Sequence, residues 1–491
     1  MSANYEREFN SSSRPHVVMV TNHGVHEWSV NAGLPDTGGQ NVYVNDLSGT
    51  LAGLGFRVTT FNRGGYPHPA HGTERTGAVY RNGSERIVYL TDSRDAFIRK
   101  EEMGPMIDTL AEDLAHKLAE GPPPVLVVSH YWDGAAVADR ALSRLDLTCP
   151  HVWVPHSLGA LKKEGTDPAQ WAELHIDERI DAEGEILKNV DLVAATSGAI
   201  QDTLKSRYHI EKVLFLPPCV DETRFDRERV RHDRRAASLL EAAAGLPEGA
   251  AARRRIITEV SRTDRTKRKN ILIEAFARVN AVFPDTFLAL TIDPAAGELY
   301  EELTALIRKH GITKSVAVLG SIPEYIPSLY GMSTVYCTPS AMEGFGMSIQ
   351  EAAACGVPAV ASRRVPFAME YLRGERPERR AVSEAGGESI DVGEGAVIVP
   401  PDSVAGTAEG LRLLLSDSDL RHRMGERAYR ITIPRFTWKR VTVEFLRAVG
   451  VPLPAATGDG GNGGGDSGGD RDDSGGNTYG GNADKGEPHN G

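Results

Sequence analysis

The chain has 491 residues, 40% hydrophobic and 25% charged, with 55 Lys and Arg against 67 Asp and Glu and a formal charge of −12. That length exceeds one ordinary core and predicts two domains of about 200 residues plus extra segments. The composition excludes a wholly disordered chain, no apolar run approaches the ~20 residues of a bilayer-spanning helix, and the acidic balance argues against non-specific nucleic-acid binding, which needs clustered cations.

Residues 1–15 are polar and lack the apolar centre of a signal peptide, so a flexible N-terminus and a cytoplasmic protein are expected. From there, β-branched apolar runs alternate with helical stretches, the pattern of βαβ units and parallel sheets. Residues 16–22 read as a strand, 39–54 as a helix and 56–61 as a strand, with further strands at 125–129, 151–154 and 191–195. A first Rossmann-like domain is thus expected over 16–218. A second series has strands at 256–260, 287–292, 316–319, 335–338 and 359–361, and helices at 271–279, 299–309 and 346–355. It defines a second such domain over 219–435, in which 230–255 reads as a linker or surface helix pair and 373–395 as a surface insertion. A last helix, 438–448, lies in the segment 436–449. Residues 454–491 are expected to be a disordered tail, because from Gly458 onward they hold 14 glycines and almost no apolar groups. That stretch has seven acidic and two basic residues and so carries −5 of the −12. Cys149, Cys219, Cys337 and Cys355 fit neither a zinc pattern nor a disulfide framework and read as reduced, mostly buried thiols.

Ligands of open parallel sheets sit beyond the carboxyl ends of the strands, so chemistry is sought in the loops that follow them. After the first strand, Asp36-Thr37-Gly38-Gly39-Gln40 leads directly into a helix, whose free N–H groups suit an anion; a tight turn explains these residues equally well. Ser261-Arg262 follows a strand of the second series, and Lys267, Arg268, Lys269 and Asn270 come next, a set of cations able to stabilise a departing diphosphate without a metal. The most informative stretch runs from Pro339 to Glu351. Glu343 precedes the loop Gly344-Phe345-Gly346-Met347, which opens a helix, and Glu351 lies about one turn into it. One carboxylate is then placed to face a sugar, the other a ribose, and the N–H groups between them phosphates. Tyr131-Trp132-Asp133 reads either as the wall of an acceptor site or as aromatic core. His23, His26 and Glu27 have a faint metal-ligand look, but no third cluster accompanies them and no metal is expected.

The Glu343 to Glu351 segment, with EAAACGVP following, resembles the GT4-type retaining glycosyltransferases. Their GT-B fold is α/β: two tandem doubly wound Rossmann-like domains face each other across a cleft, with a C-terminal helix crossing back to the first. The first half is most similar to the sucrose-phosphate synthase and sucrose synthase group, through LPDTGGQNVYVNDL, SHYWDGAAVA, VPHSLGALKK and PPCVDETRF. The resemblance spans residues 16–449. It implies retaining transfer of a hexosyl group, glucosyl by expectation, from a nucleotide sugar to a sugar or sugar-phosphate acceptor. UDP-glucose is the first donor to consider, and no metal or other cofactor is implied. Arg262 and Lys269 are implied to hold the donor diphosphate; Lys267 is a rival, because two more residues than usual separate Arg262 from Lys269. Glu343 is implied to bind hydroxyls of the donor sugar, Gly344, Phe345, Gly346 and Met347 to lie near sugar and phosphate, and Glu351 to bind the ribose. His156 is implied to contact the donor sugar near the reacting carbon, with Gly38, Gly39 and Gln40 lining the opposite side. His156, Glu343, Arg262 and Lys269 form the implied catalytic group. On the acceptor side, Lys100 is implied to meet a phosphate, with Lys162, Arg179, Tyr131 and Asp133 around it.

Three features depart from that pattern. Ser362-Arg363-Arg364 stands where a Gly-Gly-Pro turn is usual, 373–395 is an unusual insertion, and Cys219 replaces a common glycine. They weaken the specific expectation of a sucrose phosphate product more than the chemistry. A related enzyme with another donor or acceptor, such as mannosyl transfer or glycerate- or glycerol-type solute synthesis, remains open. So do a nucleotide-sugar epimerase, a sugar phosphorylase and a catalytically silent sugar-binding regulator.

Overall fold

The computed structural model describes residues 2–30, 34–164, 166–382 and 386–455. The first half contains β1 (His16–Val20), β2 (Arg57–Arg63), β3 (Ala78–Asn82), β4 (Glu85–Leu90), β5 (Leu126–His130), β6 (His151–Val154), β7 (Leu192–Ala195) and β8 (Val213–Phe215). They form one sheet in the order β3-β4-β2-β1-β5-β6-β7-β8, parallel except for β3 on β4. All residues of β1 and β2 are buried, because helices cover both faces of the sheet; this is why the inner strands read as continuous apolar runs. One face packs Leu110, Leu114 and Trp153, and the other packs Tyr43, Leu47 and Leu51 of the helix Gly39–Gly53.

The second half contains β9 (Arg255–Glu259), β10 (Thr286–Thr291), β11 (Val316–Leu319), β12 (Ser333–Thr338), β13 (Ala359–Ser362), β14 (Glu378–Ala381), β15 (Ser389–Val392) and β16 (Ala396–Val399). Their order is β11-β10-β9-β12-β13-β16-β15-β14, with β14 and β15 antiparallel. In each sheet the chain builds outward on one side of its first strand and then returns to the other side, at β5 and at β12. The carboxyl ends of β1 and β5, and of β9 and β12, therefore flank the two switch-point crevices where such sheets bind ligands.

The helix Trp438–Val449 inserts Trp438, Val441, Phe445 and Leu446 into the core of the first half beside Val17 and Tyr43. Where the chain crosses, Val220 N–H donates to the Phe436 carbonyl at 2.8 Å, and Gln350 Nε2 donates to the Pro218 carbonyl at 2.9 Å.

Three expectations are corrected. The N-terminus is ordered over the helix Ser2–Ser11, because Phe9 is 1% exposed and lies beneath the guanidinium groups of Arg57 and Arg86. Residues 230–255 are no linker: the helices Arg227–His232 and Arg235–Ala244 belong to the second half, with Ala236 and Leu240 buried against Phe287 and Leu319. The insertion at 373–395 supplies the β14–β15 hairpin that extends the second sheet. The expected tail falls on 456–491, outside the described residues, apart from Pro454 and Ala455. The four cysteines are free, three of them buried.

Candidate active site

Three loops of the first half meet at the carboxyl ends of β1, β5 and β6. Asp36, Tyr131 and His156 each hold a left-handed backbone there, with φ of 50°, 63° and 55°. That conformation is costly for residues with a side chain, and it gathers at sites whose surroundings enforce it. Tyr131 opens the helix Tyr131–Leu145 straight after β5, and its ring centroid is 4.5 Å from that of His23. His23 Nδ1 is 3.2 Å from both carboxylate oxygens of the fully buried Asp133. Lys100 binds the Asp36 carboxylate and lies 3.5 Å from Glu101 Oε1, the oxygen to which Lys162 donates at 3.1 Å. The two lysines retain 30% and 24% exposure, so a phosphate entering here meets ammonium groups already oriented by two carboxylates.

Arg179 differs from its expected role. It is buried, its Nε donates to Glu183 at 2.8 Å and its Nη2 to the Ser157 carbonyl at 2.7 Å, and its Nη1 holds the Tyr131 hydroxyl. With every donor nitrogen engaged, it positions Tyr131 instead of standing as a free cation. Gln40 Nε2 donates to Thr21 Oγ1 at 3.1 Å, and His156 Nε2 lies 2.9 Å from His130 Nδ1. Burial lowers the His156 imidazole to about 3, so it is neutral at pH 7.

The second half faces these loops with Arg262, which follows β9 and is 57% exposed, 3.7 Å from Asp264. A Cβ placed on Gly38 would stand 3.8 Å from Arg262 Cδ, and one on Gly39 3.7 Å from Met347 Sδ. The two halves thus come into contact where both glycine-rich loops lie. Gly346, with φ of +105°, caps the helix Met347–Ala354; a Cβ there would sit 2.8 Å from Val365 Cγ1. The Phe345 side chain is core, packed on Phe367 and Phe436, which pins the loop while Gly344 stays exposed.

Glu343 receives Lys267 Nζ at 2.7 Å and Ser340 Oγ at 2.9 Å. Lys269 points elsewhere: it is 1% exposed, donates to Glu259 Oε2 at 2.5 Å and to Ser261 Oγ at 2.9 Å, and holds the turn that presents Arg262. The expected choice of Lys269 over Lys267 therefore runs against the geometry. The usual separation from Arg262 ends on Lys267, the lysine that reaches Glu343.

Glu351 accepts from the Tyr330 hydroxyl at 3.3 Å. Burial raises its carboxyl to about 7, with Arg224 opposing and Asp46, across the crossing, adding repulsion. A carboxyl whose folded pKa lies above its unfolded value contributes stability that is complete below about 4.5 and is lost as pH rises through about 7. In the ribose-binding role that the resemblance implies for Glu351, a hydroxyl pair is held better by the ionised form, which accepts at both oxygens. Nucleotide affinity is therefore expected to rise as pH passes upward through 7, and Glu351→Gln to flatten that rise; calorimetric titration of a nucleoside diphosphate at pH 6 and 8 checks it.

The suspected metal ligands do not assemble. His23 is held by Asp133, and buried His26 lies 3.1 Å from Asn41 Nδ2. Glu27 instead approaches His68 and His71. There the Ala70 N–H donates to His68 Nδ1 at 3.1 Å, which leaves the ring proton on Nε2, 3.4 Å from Glu27. Among the described residues, the ligand atoms of Glu27, His68 and His71 all lie within 4.8 Å of one another, and His68 Nε2 has no hydrogen-bond partner. Among the described residues, no helix is long and apolar enough to cross a membrane.

Comparison with known proteins follows the same division. A model described as Glycosyltransferase Family 4 matches residues 37–224, and one described as Glycosyl transferases group 1 matches 247–431. The mannosylfructose-phosphate synthase of Agrobacterium fabrum (strain C58 / ATCC 33970) is 28% identical over 368 residues, covering 70% of this chain and 76% of its own. The D-inositol 3-phosphate glycosyltransferase of Corynebacterium jeikeium (strain K411) is 28% identical over 435 residues, covering 86% and 94%. The solved sucrose-phosphate synthase from Thermosynechococcus elongatus superposes with a TM-score of 0.69 at 23% identity, covering 89% of this chain and 98% of that one, so the fold is GT-B. With one glycosyltransferase model matching each half, in order, the chain belongs to the family 4 (group 1) glycosyltransferases.

Proposed function

We propose that this glycosyltransferase moves a hexosyl group, with retention, from a nucleoside diphosphate sugar to a phosphorylated polyhydroxy acceptor. The observation that carries the reading is the opposition of two cation sets across the Gly38 approach. Arg262 and the Lys267–Glu343 pair lie on one side, and Lys100 and Lys162, converging on Glu101, on the other. The first set suits a diphosphate beside a sugar, the second a phosphate. In the reaction, the bond from the anomeric carbon to the diphosphate oxygen breaks while a bond to the acceptor hydroxyl forms on the same face. The hydroxyl proton passes to the leaving diphosphate. Arg262 and Lys267 stabilise the charge that grows there, and Glu343 and His156 orient the sugar. Closure of the halves excludes water and so limits hydrolysis. The names of the relatives and of the structural neighbour, each a transferase or synthase of a phosphorylated product or acceptor, support a phosphorylated acceptor. The intact pairing of Glu343 and Lys267 disfavours a silent sugar-binding regulator.

Incubation with UDP-, ADP- and GDP-hexoses, glucosyl and mannosyl, and with phosphorylated and unphosphorylated acceptors tests this. Product with retained anomeric configuration is expected only when the acceptor carries a phosphate; donor hydrolysis alone, or preference for the unphosphorylated acceptor, rejects it. Lys100→Ala is expected to raise the acceptor KM roughly 10- to 100-fold, the loss of a charge-assisted hydrogen bond, and to leave the donor KM within about twofold. An unchanged acceptor KM removes Lys100 from the site.

A further inference from the structure

His130 ends β5 and is fully buried. Its Nδ1 is 2.9 Å from His156 Nε2, their ring centroids are 5.2 Å apart, and its own Nε2 has no hydrogen-bond partner. His156 is held from the other side by the Tyr43 ring, edge-on at 4.8 Å. Its Nδ1 has no hydrogen-bond partner among the described residues, and the residue keeps partial exposure. Burial holds both imidazoles well below their usual range, so both are neutral at pH 7, one N–H each.

A single bond between two neutral rings leaves two arrangements. If His156 donated through Nε2–H, His130 would have to carry its proton on Nε2, a buried N–H with nothing to receive it. If His130 donates through Nδ1–H, its unpartnered Nε2 is only a bare lone pair, and orphaned buried donors are rarer than under-used acceptors. The second arrangement puts the His156 proton on Nδ1.

We propose that His130 is a positioning residue that fixes His156 as its Nδ1–H tautomer, so that the site offers the bound hexosyl group a hydrogen-bond donor and not an acceptor. The proposal rests on the reading of His156 as a sugar contact. The ligand atom it fits is a hydroxyl or ring oxygen presenting a lone pair. The left-handed backbone of His156 and the Tyr43 edge set where the ring lies; His130 sets which nitrogen is charged with the proton.

The test is nitrogen-15 NMR of the full chain with labelled histidine, in which protonated and bare ring nitrogens of a neutral imidazole are well separated, with His156→Gln assigning the signals. The wild type is expected to show Nδ1 protonated and Nε2 bare at His156. Protonated Nε2 overturns the proposal whether or not any transfer activity has been found, so this arm is independent of the functional reading. Kinetically, His130→Leu is expected to lower kcat roughly 100-fold, the scale of a misoriented catalytic contact, with donor KM changed much less. His130→Asn, whose amide N–H stands near the Nδ1 position, is expected to recover most of it with the wild-type tautomer. Equal loss in the two variants at matched melting temperature, or no loss in His130→Leu, also overturns it.

Discussion

Glu343→Ala is expected to reduce transfer roughly 10²- to 10³-fold while the protein stays folded. The carboxylate takes the Lys267 ammonium at 2.7 Å and the Ser340 hydroxyl at 2.9 Å, so it both faces the cleft and aims the lysine assigned here to the diphosphate. Removing it frees two groups at once: the sugar loses an orienting acceptor, and Lys267 loses the anchor that fixes its Nζ. Orientation and fixed electrostatics each supply contributions of this size in other active sites. The structural cost is small by comparison. Glu343 keeps 15% exposure at the cleft surface, so Lys267 can recruit water once its partner is gone, and a loss of about 1–3 kcal/mol is expected. The loop itself is pinned by Phe345 in the core and by the Gly346 turn, neither of which is touched. Product formation and melting temperature measured on the same preparation decide the matter. Undiminished turnover in a folded Glu343→Ala protein removes this carboxylate from the reaction.

The interior strands were legible because both faces of a parallel sheet are buried, so β1 from Val17 onward and all of β10 are apolar or β-branched and need no periodicity to be seen. The edges were not. β14 has the exposed sequence Glu-Arg-Arg-Ala and earns its place through backbone pairing with β15 alone. β3 and β4 are joined through Gly83-Ser84, and Asn82-Gly83 is a local hairpin signal, yet β3 is mostly exposed and carries little apolar pattern. The N-terminal helix was invisible because its anchor is long-range: Phe9 finds Arg57 and Arg86 only once β2 and β4 are paired. At the site, Arg262 and Glu343 were candidates because each follows a strand in a doubly wound sheet, where position alone suggests a ligand; His156 became one through the family resemblance alone. Lys100 and Lys162 were grouped through the resemblance, but Glu101, the carboxylate that joins them, shows only in three dimensions. Arg179 misled for the same reason. The resemblance alone set it at the acceptor, and only the fold shows its fork filled by Glu183, Tyr131 and Ser157.

The two lysines of the basic cluster should fail in opposite ways. Lys267→Met is expected to cost roughly 10²- to 10³-fold in kcat, the range for losing one fixed cation opposite developing charge, and little stability, because Glu343 can still be hydrated and bound by Ser340. Lys269→Met removes the partner of Glu259 where both side chains are 1% exposed. An unpaired buried carboxylate is expected to destabilise the second half by about 3–5 kcal/mol, and the turn at Ser261 loses the ammonium that holds it. The fall in activity in that variant should therefore come with a loss of stability, from unfolding and from the loosened turn that presents Arg262. The double change Lys269→Met with Glu259→Gln removes both charges and should restore much of the stability, since replacing a buried pair is far cheaper than breaking it. Denaturant melts beside steady-state kinetics separate the cases. If Lys269→Met is stable and inactive while Lys267→Met turns over normally, the diphosphate lysine is Lys269 after all, and the Lys267–Glu343 pair is only a strut of the loop.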